Sequence, residues 1–85
     1  MKQVILFTAP WCEPCKAFKP IFNEVSKEFP KIEFKVLDVS QEQGTAQRFK
    51  VMSVPTLIVI TDGYISQRVT SPSTRENILM AIREN

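Results

Sequence analysis

Residues 4–22 read VILFTAPWCEPCKAFKPIF, and a change of pattern inside this stretch decides the fold. Val4-Ile5-Leu6-Phe7 is an unbroken apolar run rich in β-branched and aromatic side chains, the mark of a strand buried on both faces. Thr8-Ala9-Pro10 ends it. From Glu13 the period changes: Phe18, Ile21, Phe22, Val25 and Phe29 recur at i, i+3, i+4, i+7 and i+11, one stripe of an amphipathic helix. Lys16, Lys19, Glu24, Lys27 and Glu28 mostly fall off that stripe. The spacing predicts a helix from Glu13 to about Phe29, kinked at Pro20 and stopped by Pro30.

Downstream, Ile32, Phe34 and Val36 alternate with Glu33 and Lys35, which predicts a strand running to Asp38. Strand, long helix and strand together make a crossover unit of adequate length. Ser40-Gln41-Glu42-Gln43 has the form of a capping box, so a short helix carrying Ala46 and Phe49 is expected to start there. Thr56–Ile60 reads as a central strand, with Pro55 at its edge where no ladder bond is lost. Asp62-Gly63 is a favoured hairpin turn, pairing Tyr64–Val69 antiparallel with that strand. Ser73-Thr74-Arg75-Glu76 is a second capping box, opening a last helix that buries Ile78, Leu79 and Ile82. The expectation is an α/β domain, ordered β-α-β-α-β-β-α, with helices on both faces of a four-stranded mixed sheet.

Composition bounds what such a domain can do. Eighty-five residues, 44% apolar and 24% charged, suit one folded domain spanning 1–85, with neither a second domain nor general disorder. No apolar run approaches the ~20 residues of a membrane span, and Met1–Phe7 is too short for a secretory h-region. A cytoplasmic, membrane-free protein is therefore expected. The net charge of +2, spread over seven Lys and four Arg, offers no nucleic-acid surface. The absence of histidine excludes Ser-His-Asp triads and Cys-His pairs. Two cysteines cannot make a four-ligand zinc site within one chain or a disulfide-dense scaffold.

Those two cysteines, Cys12 and Cys15, are the chemically pointed feature. They sit where the first strand hands over to the long helix. The unpaired N–H groups of a helix start carry partial positive charge, so a Cys12 thiolate is stabilised and its pKa is expected below the free value of ~8.5. Pro14 suits the first turn, where a missing N–H costs nothing. Cys15 lies one turn on, and separations of roughly 5–6 Å on one helix face are within disulfide reach. Cys12 is expected to be exposed and to attack; Cys15, one turn before Phe18, is expected to be shielded and to resolve. Lys16 favours the thiolate and Glu13 opposes it. Three readings compete: a redox pair, a metal site completed by a second chain or by carboxylates, and an inert structural bridge. Strand–CxxC–helix context favours the first; a bridge over so short a loop removes little unfolded-state entropy.

The sequence Ala9-Pro10-Trp11-Cys12-Glu13-Pro14-Cys15-Lys16 resembles the thioredoxin motif W-C-G-P-C-K, with Glu13 in place of Gly. Pro20 matches that family's helix proline, Val54-Pro55-Thr56-Leu57 its cis-proline loop, and Asp62-Gly63 its hairpin. The resemblance implies a thioredoxin fold and a thiol–disulfide oxidoreductase with Cys12 as nucleophile and Cys15 as resolving thiol, needing no cofactor or metal. It also implies a cis Val54–Pro55 bond against the cysteine loop, with Trp11, Val54, Pro55 and Thr70 meeting the substrate and Glu13, Pro14 and Lys16 tuning the pair. Implied partners are disulfide-bonded proteins and a thioredoxin-reductase-type recycling enzyme, with the chain acting as a monomer. Trp11 is also expected to staple the helix start. Departures from the pattern are informative. The chain lacks the opening strand and helix of full-length thioredoxins, which gives it glutaredoxin size and topology. A glutathione-dependent, glutaredoxin-type enzyme is thus the alternative, although Ser71-Pro72 replaces that family's Gly-Gly. A binding module or dimeric metal carrier ranks lower. Leu6 and Val36 occupy the positions where thioredoxins place a buried Asp and a Lys. A dry floor is expected, leaving water or Glu13 to take the Cys15 proton. Thr70 replaces the glycine of the last docking loop.

Overall fold

The apolar run at Val4 lies in β1 (Lys2–Thr8) of the computed structural model, which describes residues 1–83; the last two residues of the expected 1–85 domain lie outside the described residues. There follow α1 (Glu13–Ser26), β2 (Glu33–Asp38), α2 (Gln43–Arg48), β3 (Thr56–Thr61), β4 (Tyr64–Thr70) and α3 (Arg75–Arg83), the order expected from sequence. The sheet order is β2-β1-β3-β4. The α1 crossover makes β1 and β2 parallel, with Leu6 opposite Val36 and Thr8 opposite Asp38. β3 is antiparallel to β1 and to β4. Asp62 and Gly63, with φ of 51° and 89°, form the two-residue turn between β3 and β4, where right-handed strand twist favours positive φ at both central positions.

Side-chain alternation along β1 feeds two apolar layers. Val4 and Leu6 join Leu57 and Val59 beneath Phe18, Phe22 and Val25 of α1 and Ile78, Leu79 and Ile82 of α3. Ile5 and Phe7 join Ile58 on the opposite face, under Ala46 of α2 and its neighbour Phe49. Burying Phe18, Phe22 and Val25 contributes roughly 5–9 kcal/mol before chain entropy is counted. That burial holds the helix carrying both cysteines against the sheet. At its far end, Arg75 bonds Glu28 and holds that carboxyl below its ordinary value. A lowered native pKa stabilises the fold above the unfolded value, and the benefit is lost as pH falls through the native one. Both partners are exposed, so the contribution is small.

Element ends differ from expectation for local reasons. α1 runs through Pro20 but stops at Ser26, short of Phe29. Beyond it the backbone tightens into i−3 bonds, Glu28 N–H to the Val25 carbonyl (2.9 Å) and Phe29 N–H to that of Ser26 (3.3 Å). β2 begins at Glu33 because Ile32 N–H is held by the Phe29 carbonyl at 3.0 Å. The first capping box does not form. Ser40 donates its N–H (2.8 Å) and hydroxyl (2.6 Å) to Oδ1 of Asp38, and α2 begins three residues later without a side-chain cap.

The second capping box forms one residue late. Thr74 Oγ1 accepts from Asn77 N–H (3.2 Å), and Asn77 Oδ1 accepts from Thr74 N–H (3.0 Å) and Ser73 N–H (2.9 Å). Asn77 has the reach that Glu76 was expected to supply. Thr74→Ala is therefore expected to lower stability by about 1 kcal/mol, whereas Ser73→Ala, which removes no cap, leaves the urea midpoint unchanged. Equal losses from the two substitutions would place the cap at Ser73 after all.

Candidate active site

The start of α1 sets the geometry of the cysteine pair. Cys12 is the N-cap, with extended backbone (φ −95°, ψ 105°), and Pro14 occupies the first turn. Cys12 N–H is tied to the Ala9 carbonyl at 3.1 Å. In the first turn, Cys15 N–H donates to Cys12 Sγ at 3.2 Å and Lys16 N–H to the Cys12 carbonyl at 3.3 Å. A disulfide joins the two residues across a Cα–Cα distance of 5.3 Å, inside the range such bridges favour. Cys15 is 2% exposed, as expected of a shielded thiol. Cys12 is not exposed as expected: only 6% of its surface reaches solvent. Ala9, Val39 and Val54 pack against the bridged pair.

One of these contacts comes from far along the chain. The Val54–Pro55 peptide is cis, and Val54 packs on the pair. Pro55 is buried, and its carbonyl accepts from Ser71 N–H at 3.0 Å. This bond ties the loop to the end of β4, where Thr70 lies opposite Thr56. The N–H and C=O of Val54 make no backbone bond among the described residues, which leaves an unpaired backbone edge beside the cysteine pair. Trp11 is 69% exposed, so it does not staple the helix start. Its ring instead borders an open cleft of about 240 Å³ with Val51, Met52 and Val54. Thr70 lines an adjoining cleft of about 270 Å³ with Lys50, Met52 and Arg68. Met52, 92% exposed, therefore borders both clefts.

Charge near the pair is largely self-cancelling. Glu13 and Lys16, both solvent-exposed, form an ion pair at 3.1 Å, so their opposed effects on a Cys12 thiolate offset one another. Beneath the site, Leu6 is fully buried and Val36 packs against the same apolar layer. On the Cys15 side there is a third cleft of about 340 Å³, lined by Thr8, Ala9, Pro10, Cys15, Lys16, Lys19, Val36 and Asp38. Sequence reasoning did not single out Met52, Lys19 or Asp38. The last two carried a signal: Lys19 is four residues from Cys15 on α1, and Asp38 continues the Phe34–Val36 face of β2. Met52 carried none, because it lies in an irregular loop. No cluster of three or more potential metal ligands occurs among the described residues.

The chain as a whole is similar to known proteins. A family model described as thioredoxin matches residues 1–84. The chain is 41% identical over 73 residues to Thioredoxin H5 of Arabidopsis thaliana, across 86% of this chain and 62% of that protein. It is 38% identical over 77 residues to a thioredoxin of Staphylococcus aureus, across 89% of this chain and 74% of that one. The crystal structure of Fasciola hepatica thioredoxin superposes with a TM-score of 0.90 at 29% identity, covering 99% of this chain and 81% of the other.

Proposed function

Because the chain belongs to the thioredoxin family and carries the cysteine pair of a thiol–disulfide oxidoreductase, we propose that it reduces protein disulfides with Cys12 as nucleophile and Cys15 as resolving thiol. The disulfide at the start of α1, with the Cys15 N–H directed at Cys12 Sγ, is the observation that carries this reading. The N–H and the helix dipole favour negative charge on the Cys12 sulfur. In the reduced protein, Cys12 thiolate attacks one sulfur of a substrate disulfide. The substrate S–S bond breaks, a mixed disulfide with Cys12 forms, and one substrate thiolate leaves. Cys15 then loses its proton and attacks Cys12 Sγ. The mixed disulfide breaks, the Cys12–Cys15 bond forms, and the second substrate sulfur leaves as thiolate. Two electrons pass to the substrate, and the pair itself is the only redox group required.

Recognition uses backbone as well as side chains. The unpaired edge at Val54 receives an extended substrate segment by β-augmentation. Pro55 positions that edge, while Trp11 and Thr70 border the clefts on either side of it. Glu13, Pro14 and Lys16 tune the pair through charge and first-turn geometry. The chain works as a monomer in the cytoplasm, where a thioredoxin-reductase-type enzyme returns the pair to the dithiol. None of the described helices is long and apolar enough to cross a membrane.

The test supplies a disulfide-bonded protein substrate with each recycling system separately. Reduction is expected with NADPH and a thioredoxin reductase, and only marginal turnover with glutathione and glutathione reductase. The opposite pattern would assign the chain to glutathione chemistry. No turnover in either arm, with metal retained after anaerobic purification, would replace the enzyme with a metal carrier.

A further inference from the structure

We propose that Asp38 is the group that takes the proton from Cys15 when Cys15 resolves the mixed disulfide; this assignment rests on the reading of Cys15 as the resolving thiol. That step consumes a thiol and produces a disulfide, so one proton must leave Cys15, a residue that is 2% exposed. The way out is the cleft of about 340 Å³ on the Cys15 side, far larger than the ~15 Å³ a single water needs. Of the described residues lining it, Asp38 alone has a carboxylate. Thr8 is neutral, and Lys16 and Lys19 are cationic; none of the three accepts a proton at neutral pH. Glu13 is engaged by Lys16 at 3.1 Å and is not part of the cleft wall.

The topology explains why Asp38 is available. Thr8 and Asp38 are opposite one another at the ends of the parallel pair β1 and β2. Asp38 follows Phe34 and Val36 at a spacing of two, so it shares their face of the sheet, the one covered by α1. Oδ1 accepts both bonds from Ser40, at 2.8 and 2.6 Å, which fixes the carboxylate. Among the described residues, no donor is bonded to Oδ2. Among the described residues, the charged groups facing this carboxylate across the cleft are Lys16 and Lys19 of α1. The proton moves from Cys15 Sγ through cleft water to Oδ2. As this happens the Cys12–Cys15 bond forms and the substrate sulfur leaves with the electron pair of the broken bond. In the reverse direction Asp38 returns the proton to departing Cys15.

Asp38→Asn separates this role from a structural one, because the amide oxygen still accepts from Ser40. The probe is dithiobis(nitrobenzoate), which releases one coloured thiolate when Cys12 attacks and a second when Cys15 resolves. In the Asn variant the first phase is expected to be unchanged and the second slowed at least about tenfold near neutral pH. The deficit closes in alkali as hydroxide replaces the carboxylate, and Asp38→Glu restores the rate. The sign is diagnostic: a carboxylate acting only as a nearby negative charge disfavours the Cys15 thiolate, so its removal would speed the second phase. A second phase that is unchanged or faster, or equal slowing of both phases, would overturn the assignment. Absence of the first phase in the unaltered protein would overturn the reading of Cys12, and this assignment with it.

Discussion

Cys12→Ser is expected to reduce turnover by on the order of 10⁴-fold or more, as removal of a covalent nucleophile does elsewhere. A serine hydroxyl is not ionised near neutral pH and cannot form a disulfide, so both the attack and the mixed intermediate are lost. The helix start itself is expected to survive, because serine is a good N-cap and its oxygen can accept the Cys15 N–H that now meets sulfur. Cys15→Ser behaves differently. Cys12 still attacks but nothing displaces the substrate, so a covalent adduct accumulates, visible by mass spectrometry and released by dithiothreitol. Accumulation of adduct on the Cys12→Ser protein, and none on Cys15→Ser, would reverse the two roles.

Phe22→Ala carries the largest expected stability effect. Phe22 is 1% exposed and meets Phe34 of β2 edge-on, with ring centroids 5.3 Å apart. Truncating a buried Phe to Ala costs about 3–5 kcal/mol, against a total stability of roughly 4–13 kcal/mol for a chain of this size. The urea midpoint is expected to fall by about 2–5 M at a slope of 1–1.5 kcal/mol per molar. The functional consequence follows from the fold, since α1 is held to the sheet by this contact and carries both sulfurs at its other end. A loss under about 1 kcal/mol would mean that the remaining apolar contacts hold α1 without it. Phe34→Ala combined with Phe22→Ala is expected to cost less than the sum of the two, because the pair shares one contact.

The elements legible in advance are those whose cause lies within a few residues. The apolar run at Val4, the helical stripe from Phe18 to Val25, the alternation from Ile32 to Val36 and the Asp62-Gly63 turn each produced the expected element. The misreadings occurred where one local donor had a choice of acceptors. Ser40 could cap a helix or bond Asp38, and it bonds Asp38. Asn77, rather than Glu76, completes the α3 cap because the helix starts one residue later than the motif suggested.

Spacing alone determined that Cys12 and Cys15 can bond, because a helical turn carries its own geometry wherever it is placed. Residue order likewise determined the sequence of strands and helices, since their periodicities are local. Tertiary structure decided what surrounds the sulfurs. Val54 comes from a distant loop and packs, with Val39, against the cysteine pair. Asp38 meets the Cys15 cleft only because the parallel register sets it opposite Thr8. Such placements depend on strand pairing and crossover packing between residues far apart in the chain, and no short window of residues contains them.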